Sequence, residues 1–165
     1  MNSTEKSAGG WRWLLLSLLV VAADQTSKAW IARHYGEFEF TRVLPILDIT
    51  RMQNVGAAFS LLASASGWQR WFFIALALGV SLAIIVWLLR MRAGSGRLLA
   101  AGLALVLGGA VGNLIDRIRI GSVVDFIHFH WNQAYFPAFN LADSSITVGA
   151  GLLLLDALLE ARRKP

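Results

Sequence analysis

Residues 112–126 read GNLIDRIRIGSVVDF. They follow an apolar run of helix length, 98–111, and set Asn113, Asp116, Arg117, Arg119 and Asp125 into a chain otherwise poor in charge. Charged groups are costly within or beside a bilayer and are usually kept there for function. A second polar cluster, Asn140-Leu-Ala-Asp143, opens the next apolar run. The two stretches are therefore expected to meet at one membrane edge, in a site built on the carboxylates of Asp125 and Asp143.

Composition supports the membrane setting. Of 165 residues 56% are hydrophobic and only 15% charged, whereas a soluble domain carries roughly a quarter charged residues. A chain of this length, spent mostly on spans, makes a single membrane domain, 1–165. It has no cysteine, which excludes a thiol nucleophile, a disulfide or a cysteine metal site. The net charge of +5 has no soluble basic face to carry it, so no nucleic-acid partner is expected and the excess is assigned to topology.

Working outward, four spans are expected at about 12–33, 71–89, 98–115 and 140–159, with connecting loops at about 36–69 and 118–138. In the first, residues 14–21 followed by Val21-Ala22-Ala23 also have the form of a signal-peptide core and cleavage site. Apolar character resumes through Ala29, Trp30 and Ile31, which favours a retained helix. Asp24 and Lys28 lie four apart on it and share a face, which suits a structural ion pair turned inward or to the interface.

Residues 37–44 and 47–52 alternate polar and apolar around Pro45 and read as two short strands outside the membrane. Asn54 and Gly56 mark a turn before a short helix over 57–63, or else face a substrate. Gly108 and Gly112 make a small-xxx-small pair for close helix packing. Residues 122–131 (SVVDFIHFHW) read as a strand, and 132–138 as a loop.

Loop 90–97 carries Arg90, Arg92 and Arg97 without an acid, and the C-terminal tail carries Arg162, Arg163 and Lys164. Both termini and that loop are expected to be cytoplasmic. Asp125 and the start of the fourth span then fall together on the opposite, outer side.

Each polar residue also has a plainer reading. Asn140 and Asp143 fit a capping box, and Arg117 suits a helix C-terminus, paired with Asp116. Asp125 has no such local role within a β-branched, aromatic strand. Two carboxylates in a site of reduced dielectric share a proton, so that one serves as base to water while the other polarises a carbonyl. His128 and His130 share a strand face, but no HExxH or third ligand accompanies them, and no metal is expected.

Asp24-Gln-Thr-Ser-Lys28, Asn54-Val-Gly-Ala-Ala-Phe59, Gly109-Ala-Val-Gly-Asn-Leu-Ile-Asp-Arg117, Val123-Val-Asp-Phe126 and Phe139-Asn-Leu-Ala-Asp143, in that order, resemble the lipoprotein signal peptidase (signal peptidase II) family. The resemblance implies an integral membrane all-α fold of four transmembrane helices with a small extracytoplasmic β-cradle, in the bacterial cytoplasmic membrane. It implies an aspartic endopeptidase, without a cofactor and acting as a monomer. Its substrates would be diacylglyceryl-modified prolipoproteins, cut just before the lipidated cysteine. By block matching, Asp125 and Asp143 correspond to the catalytic dyad. Asn113, Arg117 and Asn140 match polar positions around it, and Asp24, Lys28, Asn54, Gly56 and Gly109 match further motif positions. A proton-coupled transporter or a non-enzymatic scaffold would also bury charge in its spans, yet neither accounts for five ordered blocks.

Overall fold

The computed structural model describes residues 9–56, 67–92, 96–132 and 134–163. Four helices carry the apolar runs: α1, Trp13–His34; α2, Trp68–Arg90; α3, Arg97–Arg119; and α4, Leu141–Arg163. Each has 22 or 23 residues, about 33 Å of helix, enough for a hydrocarbon core of about 30 Å. All four are long and apolar enough to cross a membrane. Helix is the form such segments take, because lipid offers no partner to a free backbone N–H or C=O.

Helix α3 is the hub and the one span buried over most of its length. Its glycines set how near the neighbours come. A Cβ on Gly108 would lie 2.6 Å from Val20 Cβ of α1, and one on Gly109 would run into the Ala142 carbonyl of α4. Interhelix hydrogen bonds accompany this closeness: Ser17 Oγ donates to the Ala104 carbonyl (2.8 Å) and Ser145 Oγ to that of Leu105 (3.0 Å). Towards α2 the packing is apolar, with Ile84, Leu88 and Met91 against Ala100, Leu103 and Leu107.

A four-stranded antiparallel sheet, in the order β1-β2-β3-β4, caps one end of the bundle. Its strands are β1, Phe40–Leu44; β2, Leu47–Asn54; β3, Val123–Trp131; and β4, Ala134–Tyr135. The central pair, β2 with β3, joins segments separated in the chain by α2 and α3, and its register sets Met52 opposite Asp125 and Asn54 opposite Val123. Ile31 of α1 packs under Val124 and Phe126 and fixes the sheet to the bundle. Beyond β4 the Phe139 backbone exchanges hydrogen bonds with Ile127 (2.8 and 3.0 Å), which aims the chain into α4.

Several expected boundaries move. Helix α3 runs to Arg119, past the expected end at 115, because its last turn faces the sheet and neighbouring polar groups instead of lipid. The expected loop 132–138 contains the two-residue strand β4, which pairs with His130 and Trp131. The fourth helix begins at Leu141, one residue after Asn140. The short helix expected over 57–63 lies outside the described residues.

Candidate active site

The polar residues gather where the first turn of α4, the last two turns of α3 and strand β3 converge. Asn140 Oδ1 accepts the Asp143 N–H (2.9 Å) and the Asn140 N–H reaches back to Asp143 Oδ2 (3.2 Å), so the expected capping box is present. It does not exhaust the two residues. Asn140 is fully buried, and its Nδ2 donates to Asp125 Oδ1 at 2.7 Å. One asparagine thus ties the strand carboxylate to the helix carboxylate. Asp125 also accepts from Asn54 Nδ2 (3.1 Å), brought to it by the β2–β3 pairing. Asp143 accepts from Asn113 Nδ2 at 2.8 Å.

Three asparagine amides therefore surround the pair, and each has its oxygen pinned by a donor on the far side. The Gly56 N–H holds Asn54 (2.9 Å), the Asp143 N–H holds Asn140, and Lys28 Nζ holds Asn113 (2.8 Å). An amide with its oxygen engaged presents its NH2 group at the opposite end. All three NH2 groups consequently point at carboxylate oxygens.

Asp125 is 3% exposed. Burial, and next the charge of Asp143, push its carboxyl up to about 7, against the opposing hydrogen bonds from Asn54 and Asn140. Near neutral pH it therefore takes up a proton far more readily than an ordinary carboxylate, as one member of a shared-proton pair does. Arg117 brings positive charge to the rim. Its guanidinium donates to the Gly56 carbonyl (2.9 Å) and the Asn113 carbonyl (3.4 Å) and lies 5.0 Å from the centre of the Phe73 ring.

A cavity of about 630 Å³ opens onto both carboxylates, with Asn54, Asn113 and Arg117 in its wall. Its other side is apolar, formed by Phe136, Pro137, Phe139, Ile146 and Val148. Among the described residues that line it, no nucleophile has a base partner. Ser144 Oγ donates to the Asn140 carbonyl and Thr147 Oγ1 to the Asp143 carbonyl. None of the three histidines lines the cavity. His130 Nε2 lies 3.4 Å from Asp48 Oδ2, His128 stacks on Tyr135, and His34 Nδ1 contacts the Trp30 carbonyl.

Of the residues singled out in the sequence, Asp125, Asp143, Asn113, Asn140, Asn54 and Arg117 come together here. Gly56 contributes its backbone, and Gly109 contributes the absence of a side chain that lets α4 approach α3. Asp24 and Lys28 pair as expected, at 2.9 Å and facing inward, but they stand behind the cavity wall. The Asp116 to Arg117 pairing gives way to another. Asp116 bonds Lys28 at 3.0 Å, because adjacent helical residues point about 100° apart and Asp116 faces α1 while Arg117 faces the cavity. Gln25 was not singled out, though its Nε2 reaches Asp24, the Gly112 carbonyl and Asp116. Its place between Asp24 and Lys28 was the available signal. The apolar wall was missed because Phe136 and Pro137 read only as loop and Phe139, Ile146 and Val148 only as span.

The fold and site define a four-span membrane protein with a carboxylate pair at the sheet end of its bundle. The profile described as Signal peptidase (SPase) II matches residues 16–159, and the chain belongs to that family. It is 48% identical over 153 residues to the lipoprotein signal peptidase of Shewanella pealeana, covering 93% of this chain and 89% of the relative. With that of Yersinia enterocolitica it shares 46% over 155 residues, 94% and 91% of the two chains. A solved bacterial membrane enzyme, crystallised by the in meso method, superposes with a TM-score of 0.84 at 32% identity, over 97% of this chain and 95% of that one.

Proposed function

We propose that this protein is an aspartic endopeptidase that cuts diacylglyceryl-modified prolipoproteins before the lipidated cysteine, at the outer face of the bacterial cytoplasmic membrane. The observation that carries the reading is the pairing of Asp125 with Asp143 at one cavity mouth, with Asp125 pushed to about 7 by burial and by its partner.

The chemistry follows from one proton shared by two carboxylates. Ionised Asp143 takes a proton from water, whose oxygen attacks the scissile carbonyl carbon. Protonated Asp125 donates a hydrogen bond, then its proton, to the carbonyl oxygen, giving a tetrahedral diol. On collapse the C–N bond breaks and the proton held by Asp143 passes to the leaving nitrogen. One diol hydroxyl returns its proton to Asp125. The products are the signal-peptide carboxylic acid, which then ionises to solvent, and the free amine of the lipidated cysteine. Both aspartates end as they began.

The apolar wall from Phe136 to Val148 suits a substrate that arrives within the bilayer, and the polar wall suits its peptide bond. The run of arginines in loop 90–97 favours a cytoplasmic location for that end, which leaves the sheet and the carboxylates outside. The enzyme acts as a monomer in this reading.

The test is hydrolysis of a diacylglyceryl-modified lipobox peptide by the purified protein in detergent. Wild type is expected to release the signal peptide by cutting before the modified cysteine. Asp125→Asn and Asp143→Asn are each expected to lower kcat by about a thousandfold or more. An intact peptide with folded wild type, or a variant that cuts at the parental rate, overturns the assignment.

A further inference from the structure

Behind the cavity wall lies a buried cluster that the reaction above does not use. Asp24 and Lys28 of α1 meet Asp116 of α3, and all three are less than 7% exposed. Lys28 Nζ has three donors and three acceptors around it: Asn113 Oδ1 at 2.8 Å, Asp24 Oδ2 at 2.9 Å and Asp116 Oδ2 at 3.0 Å. Asp24 also accepts the Ala142 N–H of α4 (3.0 Å), and Asp116 accepts the Val124 N–H of β3 (3.3 Å). The cluster thus touches the backbone next to each dyad residue.

Asn113 is the member that faces both ways. Its oxygen meets Lys28, and its NH2 meets Asp143. Turned over, the amide would set NH2 against the ammonium and against Asn140 Nδ2, and its carbonyl against the Asp143 carboxylate. That arrangement opposes donor to donor and acceptor to acceptor unless Asp143 is protonated. Of the three amides around the dyad, the other two are pinned by backbone N–H groups, and Asn113 is pinned mainly by a side chain.

We propose that Lys28, held by Asp24 and Asp116, is a positioning residue that acts through Asn113: it fixes the amide as a donor to Asp143 and so keeps Asp143 the ionised member of the pair. The inference rests on the peptidase reading above. Without Lys28 only the longer contact from Asn140 Nδ2 (3.2 Å) still opposes turning; the turned amide accepts a hydrogen bond from protonated Asp143, and the base is lost at a higher pH than in the parent. The other charged groups facing Asp143 are Asp125 from β3 and Arg117 from α3, and Asp24 stands one residue away, at Ala142. The double variant described next leaves all of these in place.

Lys28→Met combined with Asp116→Asn keeps the net charge of the cluster at its parental −1 while removing the donor to Asn113. With the lipidated peptide, the acidic limb of kcat/KM is expected to rise by about one pH unit. kcat is expected to fall about a hundredfold and KM to stay within about threefold. A folded double variant with the parental acidic limb overturns the inference. If it does not fold, Asp24→Asn is added, which leaves no unpaired buried charge. Loss of the cluster's net negative charge by itself moves the limb down, whereas loss of the amide's orientation moves it up. The triple variant is therefore read against Asp116→Asn alone, which has the same cluster charge of zero and keeps Lys28, and a limb no higher than that control's overturns the inference. Wild type that fails to cut the peptide sinks the peptidase reading instead, so the two failures are distinguishable.

Discussion

At the scale of the residue, Asp125 joins stability and chemistry in one titration. Its carboxyl is at about 7 in the folded protein against 3.8 for the free side chain. Between those values the native state holds more protons than the unfolded chain, so stability falls as pH rises across that window and the cost is complete above about 7. That cost is on the order of a few kcal/mol. Asp125→Asn removes it. The variant is expected to melt higher than wild type at pH about 8, with the difference shrinking towards pH about 4; a pH series of thermal melts followed by tryptophan fluorescence checks this. Activity moves with the same group. If Asp125 supplies the proton, kcat/KM is expected to fall as pH rises through about 7. A profile flat from pH about 6 to 9 would separate Asp125 from the rate.

At the scale of the element, the site depends on how near α4 lies to α3. The first turn of α4 carries Asp143 and the capping Asn140, and it is seated by Gly109 on one side and Asp24 on the other. A Cβ at Gly109 meets Ile146 Cγ1 and the Ala142 carbonyl of α4, and that backbone does not move without shifting the helix. Gly109→Ala is therefore expected to lower stability by about 1–3 kcal/mol and kcat by at least tenfold, because Asp143 moves away from Asp125. Gly151, on α4, has open space where a Cβ would stand, and Gly151→Ala is the control expected to match wild type in turnover and to melt no lower. Melting temperature and turnover of the two variants check the contrast.

At the scale of the whole molecule, the sheet sits at one end of four spans and the loop after α2 at the other. The chain has no cysteine, so single cysteines report topology without background. In intact cells stripped of outer membrane, Ala134→Cys on β4 is expected to react with a membrane-impermeant maleimide. Arg92→Cys is expected to react only after permeabilisation. The reverse pattern would move the carboxylates to the cytoplasmic side and remove the proposed access to exported precursors.

Much was written in the sequence because a bilayer constrains the chain so strongly. Apolar run length determined four helices, the i,i+4 spacing put Asp24 beside Lys28, and the Asn140 to Asp143 spacing determined the cap. The lack of any capping role singled out Asp125. Tertiary structure alone decided what these groups do together. Asn54 meets Asp125 only because β2 and β3 pair across two intervening helices, and Asp116 turns from its neighbour Arg117 to Lys28 because α1 packs against that face of α3. The burial that lifts Asp125 to about 7 comes from the same convergence. Local pattern records periodicity and caps, which depend on residues a turn apart. Desolvation and amide orientation depend on what is brought alongside from distant parts of the chain, and only the folded bundle supplies that.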